Sequence, residues 1–148
     1  KQVVAFSGIV FLLGFVTAGL QYRFQWYPLP DWFTVLFAVV FLVGYALYAE
    51  VLKENTYLSR TVEVQEHQKV IDTGLYGIVR HPMYSATILM FLSVPLILGS
   101  WISFLIFLFY PVLIAKRIQN EEIILKEGLQ GYEEYQKKVK YRLIPFLW

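Results

Sequence analysis

Two apolar runs without a charge open the chain, Val3 to Leu20 and Trp32 to Ala49, each 18 residues long. That length is near the lower limit for crossing a hydrocarbon core, and both are expected to be transmembrane helices. From Pro82 to Ala115 another 34 residues pass without a charge. As one helix they would measure about 51 Å, against a core of about 30 Å. The run must fold back, and Gly99-Ser100 is the natural turn. It divides the run into 83–98 and 101–115, a tight hairpin of short helices that Pro95 and Pro111 are expected to kink. The pattern predicts an all-α integral membrane protein, one domain over 1–148, with four transmembrane helices at about 3–20, 32–49, 83–98 and 101–115.

Two polar segments remain, Val51 to His81 and Lys116 to Trp148, with no internal repeat or low-complexity linker. In the second, Ile118, Ile123, Ile124, Leu125 and Leu129 alternate with Glu121, Glu122, Lys126 and Glu127. That mixture predicts an amphipathic helix ending near Gly128 or Gly131. A further short helix is expected from Tyr132 to Val139, stopped before Pro145.

Composition agrees with a bilayer as solvent: 57% hydrophobic and 18% aromatic residues, with a mean hydropathy of +0.52. The net charge of +2 gives no argument for nucleic acid. The chain has no cysteine and only two histidines, His67 and His81, so disulfides, thiolate chemistry and a metal site are not expected. The first run has no preceding basic region and no A-x-A site after it, which predicts a retained helix in place of a signal peptide. The missing initiator Met points to a trimmed start. Basic residues sort by side. Lys53, Arg60, Lys69 and Arg80 lie between the second and third helices, and Lys116, Arg117, Lys126, Lys137, Lys138, Lys140 and Arg142 follow the fourth. Only Arg23 falls in the opposite loops, while Lys1 joins the majority. The positive-inside rule places both termini and the 50–82 segment in the cytoplasm. Trp26, Trp32 and Trp101 fall at the predicted outer helix ends, where indole rings favour headgroups.

The hairpin also predicts where chemistry gathers. Counted from Gly99-Ser100, Arg80 and His81 lie about as far back along one arm as Arg117 along the other, so antiparallel packing joins them at one membrane surface. Arg117 and Glu121 are four apart and share a helical face, while Glu122 is turned about 100° away, which favours Glu121 for the site. Tyr76, Tyr84 and the Gly74–Gly77 turn stand nearby. The bland readings are snorkelling anchors for Arg80 and Arg117, a solvated face for Glu121 and Glu122, and a helix entrance for His81-Pro82. Lys137, Lys138 and Lys140 are read as anchors only.

Three strings now stand in order: Glu54-Asn55-Thr56-Tyr57-Leu58-Ser59-Arg60-Thr61-Val62, Gln68-Lys69-Val70-Ile71-Asp72-Thr73-Gly74-Leu75-Tyr76, and Val79-Arg80-His81-Pro82-Met83-Tyr84. With Arg117, Glu121-Glu122, Leu125, Gly131-Tyr132, Tyr135 and the closing Tyr141-Arg142-Leu143-Ile144-Pro145, the chain from Val51 to Trp148 resembles the isoprenylcysteine carboxyl methyltransferases and their prokaryotic relatives. It departs at Leu75, often proline in that family, and at Ala86, where many members have glycine. The segment from Val3 to Ala49 carries only generic hydrophobicity, and eukaryotic members have more than four helices. The resemblance implies S-adenosylmethionine as cofactor, held by Gln68, Lys69, Val70, Ile71, Tyr76, His81, Pro82, Met83, Tyr84 and Glu121. It assigns Arg117 to the substrate carboxylate.

Methyl transfer to a carboxylate needs little acid–base help, because the nucleophile is already an anion and positioning and desolvation supply much of the barrier reduction. On that reading Arg117 grips the carboxylate bidentately. Glu121 accepts hydrogen bonds from the cofactor's ribose or ammonium, His81 and the nearby backbone hold its amino-acid end, and the tyrosines pack its adenine. A lipid-amine acceptor, as in phospholipid N-methylation, would instead require a base such as Glu121 or Glu122. Two further alternatives stay open. One is an NADPH-dependent sterol-type reductase, which shares an Arg-His-Pro-x-Tyr string. The other is a non-enzymatic membrane module whose polar cluster is only an anchor. The expected setting is a bacterial or archaeal inner membrane.

Overall fold

A computed structural model describes residues 2–55, 57, 64 and 66–148. Arg60 and most of the 54–62 string therefore lie outside the described residues. Among those described, all regular structure is helical: α1 (Gln2–Phe24), α2 (Asp31–Glu54), a single 3₁₀ turn (Gly74–Gly77), α3 (Pro82–Ile97), α4 (Trp101–Phe107), α5 (Phe109–Gly128) and α6 (Tyr132–Lys138).

Among the described residues, three helices are long and apolar enough to cross a membrane: 3–24, 31–54, and α4 with α5 taken as one rod, 101–128. The stretch 83–98, expected as a fourth span, forms the apolar helix α3, whose 16 residues measure about 24 Å at 1.5 Å per residue and fall short of the length of the other three. α1 and α2 outrun their uncharged stretches because a helix does not stop where its apolar surface stops. Arg23, Glu50 and Lys53 all remain helical. The α4–α5 rod breaks at Leu108, one turn before Pro111. A proline has no N–H for the Phe107 carbonyl and its ring crowds that oxygen, so the break is the expected effect of Pro111. Pro95 sits within the last turn of α3, and the helix continues to Ile97.

The hairpin turn is built by two local rules. The Ser100 and Gly99 amides bond back to the Pro95 and Leu96 carbonyls, at 2.8 and 3.1 Å, with Gly99 at φ +71°. This pair of bonds closes a Schellman motif, whose left-handed residue glycine adopts without strain. Ser100 then caps α4, its Oγ accepting from the Ser103 amide. At the same end, Gln21 donates to the Tyr27 and Gly99 carbonyls and accepts from Ser100 Oγ, while Thr34 donates to the Ile97 carbonyl. Trp26, Trp32 and Trp101 therefore gather at one end of the molecule, all exposed.

α2 packs along α3, where Gly44 meets Met90 and the Ala86 carbonyl. α1 packs on α4 and α5. Ser103 Oγ donates to the Gly14 carbonyl at 2.8 Å, and a Cβ on Gly14 would overlap the Phe107 ring at Cε2. Small residues let apolar helices approach this closely. Gly14→Ala is expected to cost about 1–3 kcal/mol through overpacking, read as a lowered thermal unfolding midpoint in detergent. Phe107→Leu in the same chain should restore part of the loss, and a loss unchanged by the second substitution would refute the contact as its cause.

Past α6 the chain runs back as a strap. Residues 139–143 lie against the entrance to α3: the Arg80 and His81 amides donate to the Tyr141 and Arg142 carbonyls, both at 2.9 Å, and Ser85 Oγ donates to the Leu143 carbonyl. Leu143 joins Tyr84, Tyr110, Ile114 and Ile118 in the core between α3 and α5, with Phe11 of α1 against them. A second core forms from Leu129, Tyr132, Tyr135 and Val139, with Val64, Val70 and Leu125 packed on it. The site lies between these two cores.

Candidate functional site

His81 is the residue before α3, and Pro82 opens the helix, where a missing N–H costs nothing. This start sets His81 and Tyr84 one turn apart with their rings stacked, centroids 5.8 Å apart. From the other arm, Arg117 Nε donates to Tyr84 Oη at 2.8 Å, and that hydroxyl donates to Glu121 Oε2 at 2.6 Å. Arg117 and Glu121 thus do point toward one place, with a tyrosine between them that spacing along the helix could not disclose.

Beside this chain of bonds lies a cleft whose empty space, counting the part open to solvent, is about 850 Å³. Gln68, Lys69, Val70, Ile71, Tyr76, His81, Met83, Tyr84 and Glu121 all line it. Pro82 does not line it and lies buried in the first turn of α3. Nor does Arg117, which stands behind Tyr84. The cleft also takes in Arg80, which the hairpin argument placed beside His81, and Asn55, Tyr57, Ile124, Leu125, Leu129, Tyr132 and Tyr135, which were not assigned to the site from sequence. The available signal was the tyrosine pair three apart, directly after the left-handed Gly131 that opens α6.

The aromatic wall is held by hydrogen bonds. Asn55 Nδ2 donates to Tyr76 Oη, and Tyr135 Oη donates to the Tyr76 carbonyl, both at 2.8 Å. Burial pushes the Tyr76, Tyr132 and Tyr135 phenols above their usual pKa near 10, so all three are protonated at neutral pH. Tyr132 is only 4% exposed, and among the described residues its hydroxyl has no partner in hydrogen-bond geometry. Gln136 lies close enough to lower its pKa slightly against the effect of burial, and a bound polar molecule can give the buried hydroxyl the well-formed hydrogen bond that Gln136 does not.

Glu122 differs from the solvated position expected of it. It is 4% exposed and sits beneath the cleft between three basic groups. Arg80 Nε lies 2.8 Å from Oε1, His81 Nε2 3.3 Å from the same oxygen, and Arg142 Nε 2.9 Å from Oε2. Arg80 also donates to the Val139 and Lys140 carbonyls. It is therefore a brace between α3, α5 and the strap, and not a snorkelling anchor.

The family model for phospholipid methyltransferases matches residues 32–130. The chain is 26% identical, over 89% of its length, to the Delta(14)-sterol reductase TM7SF2 of Mus musculus. It is 21% identical, over 82% of its length, to the Delta(14)-sterol reductase of Methylotuvimicrobium alcaliphilum. It spans only 36% and 32% of those two proteins, about a third of the curated relatives it matches. Among solved structures, the eukaryotic intramembrane Ras methyltransferase ICMT (isoprenylcysteine carboxyl methyltransferase) superposes with a TM-score of 0.78 at 23% identity, over 95% of this chain and 52% of that one. At that identity the likeness is one of fold, and it agrees with the fold implied by the motifs from Val51 to Trp148.

Proposed function

The chain belongs to the phospholipid methyltransferase family, and on that premise we propose that it is a membrane methyltransferase using S-adenosylmethionine. Its acceptor is lipid-borne, a carboxylate of the prenylcysteine type. We read residues 1–148 as one domain. α1, α2, α3 and the α4–α5 rod cross the bilayer, with both termini, the 55–81 segment and α6 in the cytoplasm of a bacterial or archaeal cell. The one-sided distribution of basic residues supports that orientation.

The carrying observation is the bond sequence Arg117–Tyr84–Glu121 at the border of the cleft. It sets a cation suited to an anionic acceptor next to a carboxylate suited to a cofactor's hydroxyl or ammonium donors. Five tyrosines line the cleft and offer flat faces for a nucleobase, and the buried Tyr132 hydroxyl can donate to a bound acceptor. The residues present therefore fit the cofactor. When bound, it would supply an electrophilic methyl group on a sulfonium, to which the acceptor's oxygen bonds in line as the carbon–sulfur bond breaks and the neutral thioether leaves. Glu121, His81, Tyr76 and Tyr132 would hold it. Tyr84 fixes the Arg117 guanidinium, and Arg117 orients the acceptor carboxylate. The apolar wall of Met83, Ile124 and Leu125 excludes water from the nucleophile.

The sterol reductase matches favour a second reading, NADPH-dependent reduction. A dinucleotide would need cations for its phosphates. Among the described lining residues the Lys and Arg cations are Lys69 and Arg80, and Arg80 is already held by Glu122 and two carbonyls. Calorimetric titration of the detergent-purified protein with S-adenosylhomocysteine and with NADPH separates the two. Saturable binding of the first, weakened at least about tenfold in Glu121→Ala by loss of hydrogen bonds to a charged group, is expected. Binding of NADPH alone would establish the reductase reading in its place, and binding of neither would leave a non-enzymatic module.

A further inference from the structure

The strap ends in a loop that presents apolar side chains outward. Phe146 is 88% exposed and Leu147 76%, with Ile144 and Pro145 exposed beside them. Phe146 also has φ +66°. It stands third in the turn Ile144–Leu147, which the Leu147 amide closes onto the Ile144 carbonyl at 3.2 Å. A positive φ at that turn position is ordinarily left to glycine or asparagine. A large aromatic there is both strained and unburied, an arrangement with no advantage in water.

Three observations identify what surrounds it. The first is depth: Leu143 is packed among Ile114, Ile118, Tyr84 and Tyr110, and Trp148 lies against the same cluster. The loop tip is thus bracketed by residues seated on the apolar stretches of α3 and α5. The second is backbone closure. The Arg142, Leu143 and Ile144 amides all donate to the Trp148 carbonyl, and the Leu147 and Trp148 amides donate to the Ile144 carbonyl. Internal satisfaction of this kind is what an irregular segment needs where water is scarce. The third is charge: Lys137, Lys138 and Lys140 are exposed just before the loop, and Arg142 stacks 5.2 Å over the Trp148 ring. Lysines beside protruding aromatic and aliphatic residues fit the boundary between headgroups and acyl chains.

We propose that Ile144–Leu147 is an interfacial membrane loop, inserting Phe146 and Leu147 into the lipid layer beside the end of the cleft where α3 begins. The proposal rests on α3 and α5 being embedded in the bilayer, and not on the transferase chemistry. Its occupant is the lipid bilayer.

The chain has no cysteine, so single spin labels can be placed without altering other residues. Labels at Phe146→Cys and Leu147→Cys would be compared in nanodiscs of phosphatidylcholine and phosphatidylglycerol with Val112→Cys, exposed on α5, and Glu133→Cys, exposed on α6. Power saturation with oxygen and with a nickel chelate reads depth. The expected result is that labels 146, 147 and 112 are relaxed more by oxygen, and label 133 more by nickel. Labels 146 and 147 behaving like 133, while 112 reports lipid, would overturn the loop proposal alone. If 112 also behaves like 133, the embedding of α5 falls with it. Shielding of 146 and 147 from both reagents, with dipolar broadening, would mean that a second copy covers the loop, and would overturn the lipid assignment.

Discussion

Glu122→Ala is expected to lower the thermal unfolding midpoint in detergent by on the order of 10 °C and to reduce the yield of folded protein. The carboxylate is buried and meets Arg80, His81 and Arg142 within 3.3 Å. Arg80 is itself buried, its side chain 8% exposed. Removing one partner of a buried ion pair leaves the other charge without compensation and typically costs about 3–5 kcal/mol, far more than an intact pair contributes. For a domain of this size that translates into roughly 2–4 °C per kcal/mol. The cost spreads because Glu122 ties α5 to the entrance of α3 through Arg80 and to the strap through Arg142, and loosening either moves His81. Glu122→Gln keeps the shape and one acceptor oxygen, so its loss should be intermediate. Glu121→Ala, one residue earlier, should leave the midpoint nearly unchanged while weakening cofactor binding. Equal midpoints for Glu121→Ala and Glu122→Ala would show that Glu122 is not the brace described above.

The contrast between these adjacent glutamates marks how far the sequence can be read. The turn at Gly99-Ser100, the break before Pro111 and the common direction of Arg117 and Glu121 were all legible, because each follows from rules acting within one or two turns of chain. The wheel argument that turned Glu122 away from Glu121 was also geometrically right. It failed to foresee burial because the far side of α5 is covered by the strap at 139–143 and by Arg80, contacts between positions distant in sequence that no local period announces. Tyr84 was foreseen near the site, but its place between Arg117 and Glu121 depends on how α3 and α5 pack. The Gln21–Ser100 bond was hidden for the same reason: within α1, a lone glutamine at the end of an apolar run looks like an ordinary helix end.

Arg117→Ala should discriminate between the two classes of acceptor through the sign of its effect. A carboxylate acceptor loses negative charge as its oxygen attacks the sulfonium, so the guanidinium binds it more strongly before the transition state than in it. Interactions of that kind lower KM and do not by themselves raise kcat. For a carboxylate acceptor, Arg117→Ala should therefore raise KM by about 10- to 100-fold, the scale of a lost hydrogen bond to a charged group. A smaller fall in kcat should follow from the less ordered approach. Arg117→Lys should recover the charge but not the two-pronged geometry, and should lie between wild type and alanine. Tyr84→Phe, which frees the guanidinium from the hydroxyl 2.8 Å away, should lower kcat with little change in S-adenosylhomocysteine affinity. A cationic or amine acceptor reverses the first expectation: next to Arg117 it is repelled, so removing the arginine should lower KM or leave it unchanged. Steady-state kinetics on matched prenylcysteine and lipid-amine substrates would read that sign. A KM unaffected by Arg117→Ala on the carboxylate substrate would remove Arg117 from the acceptor site altogether.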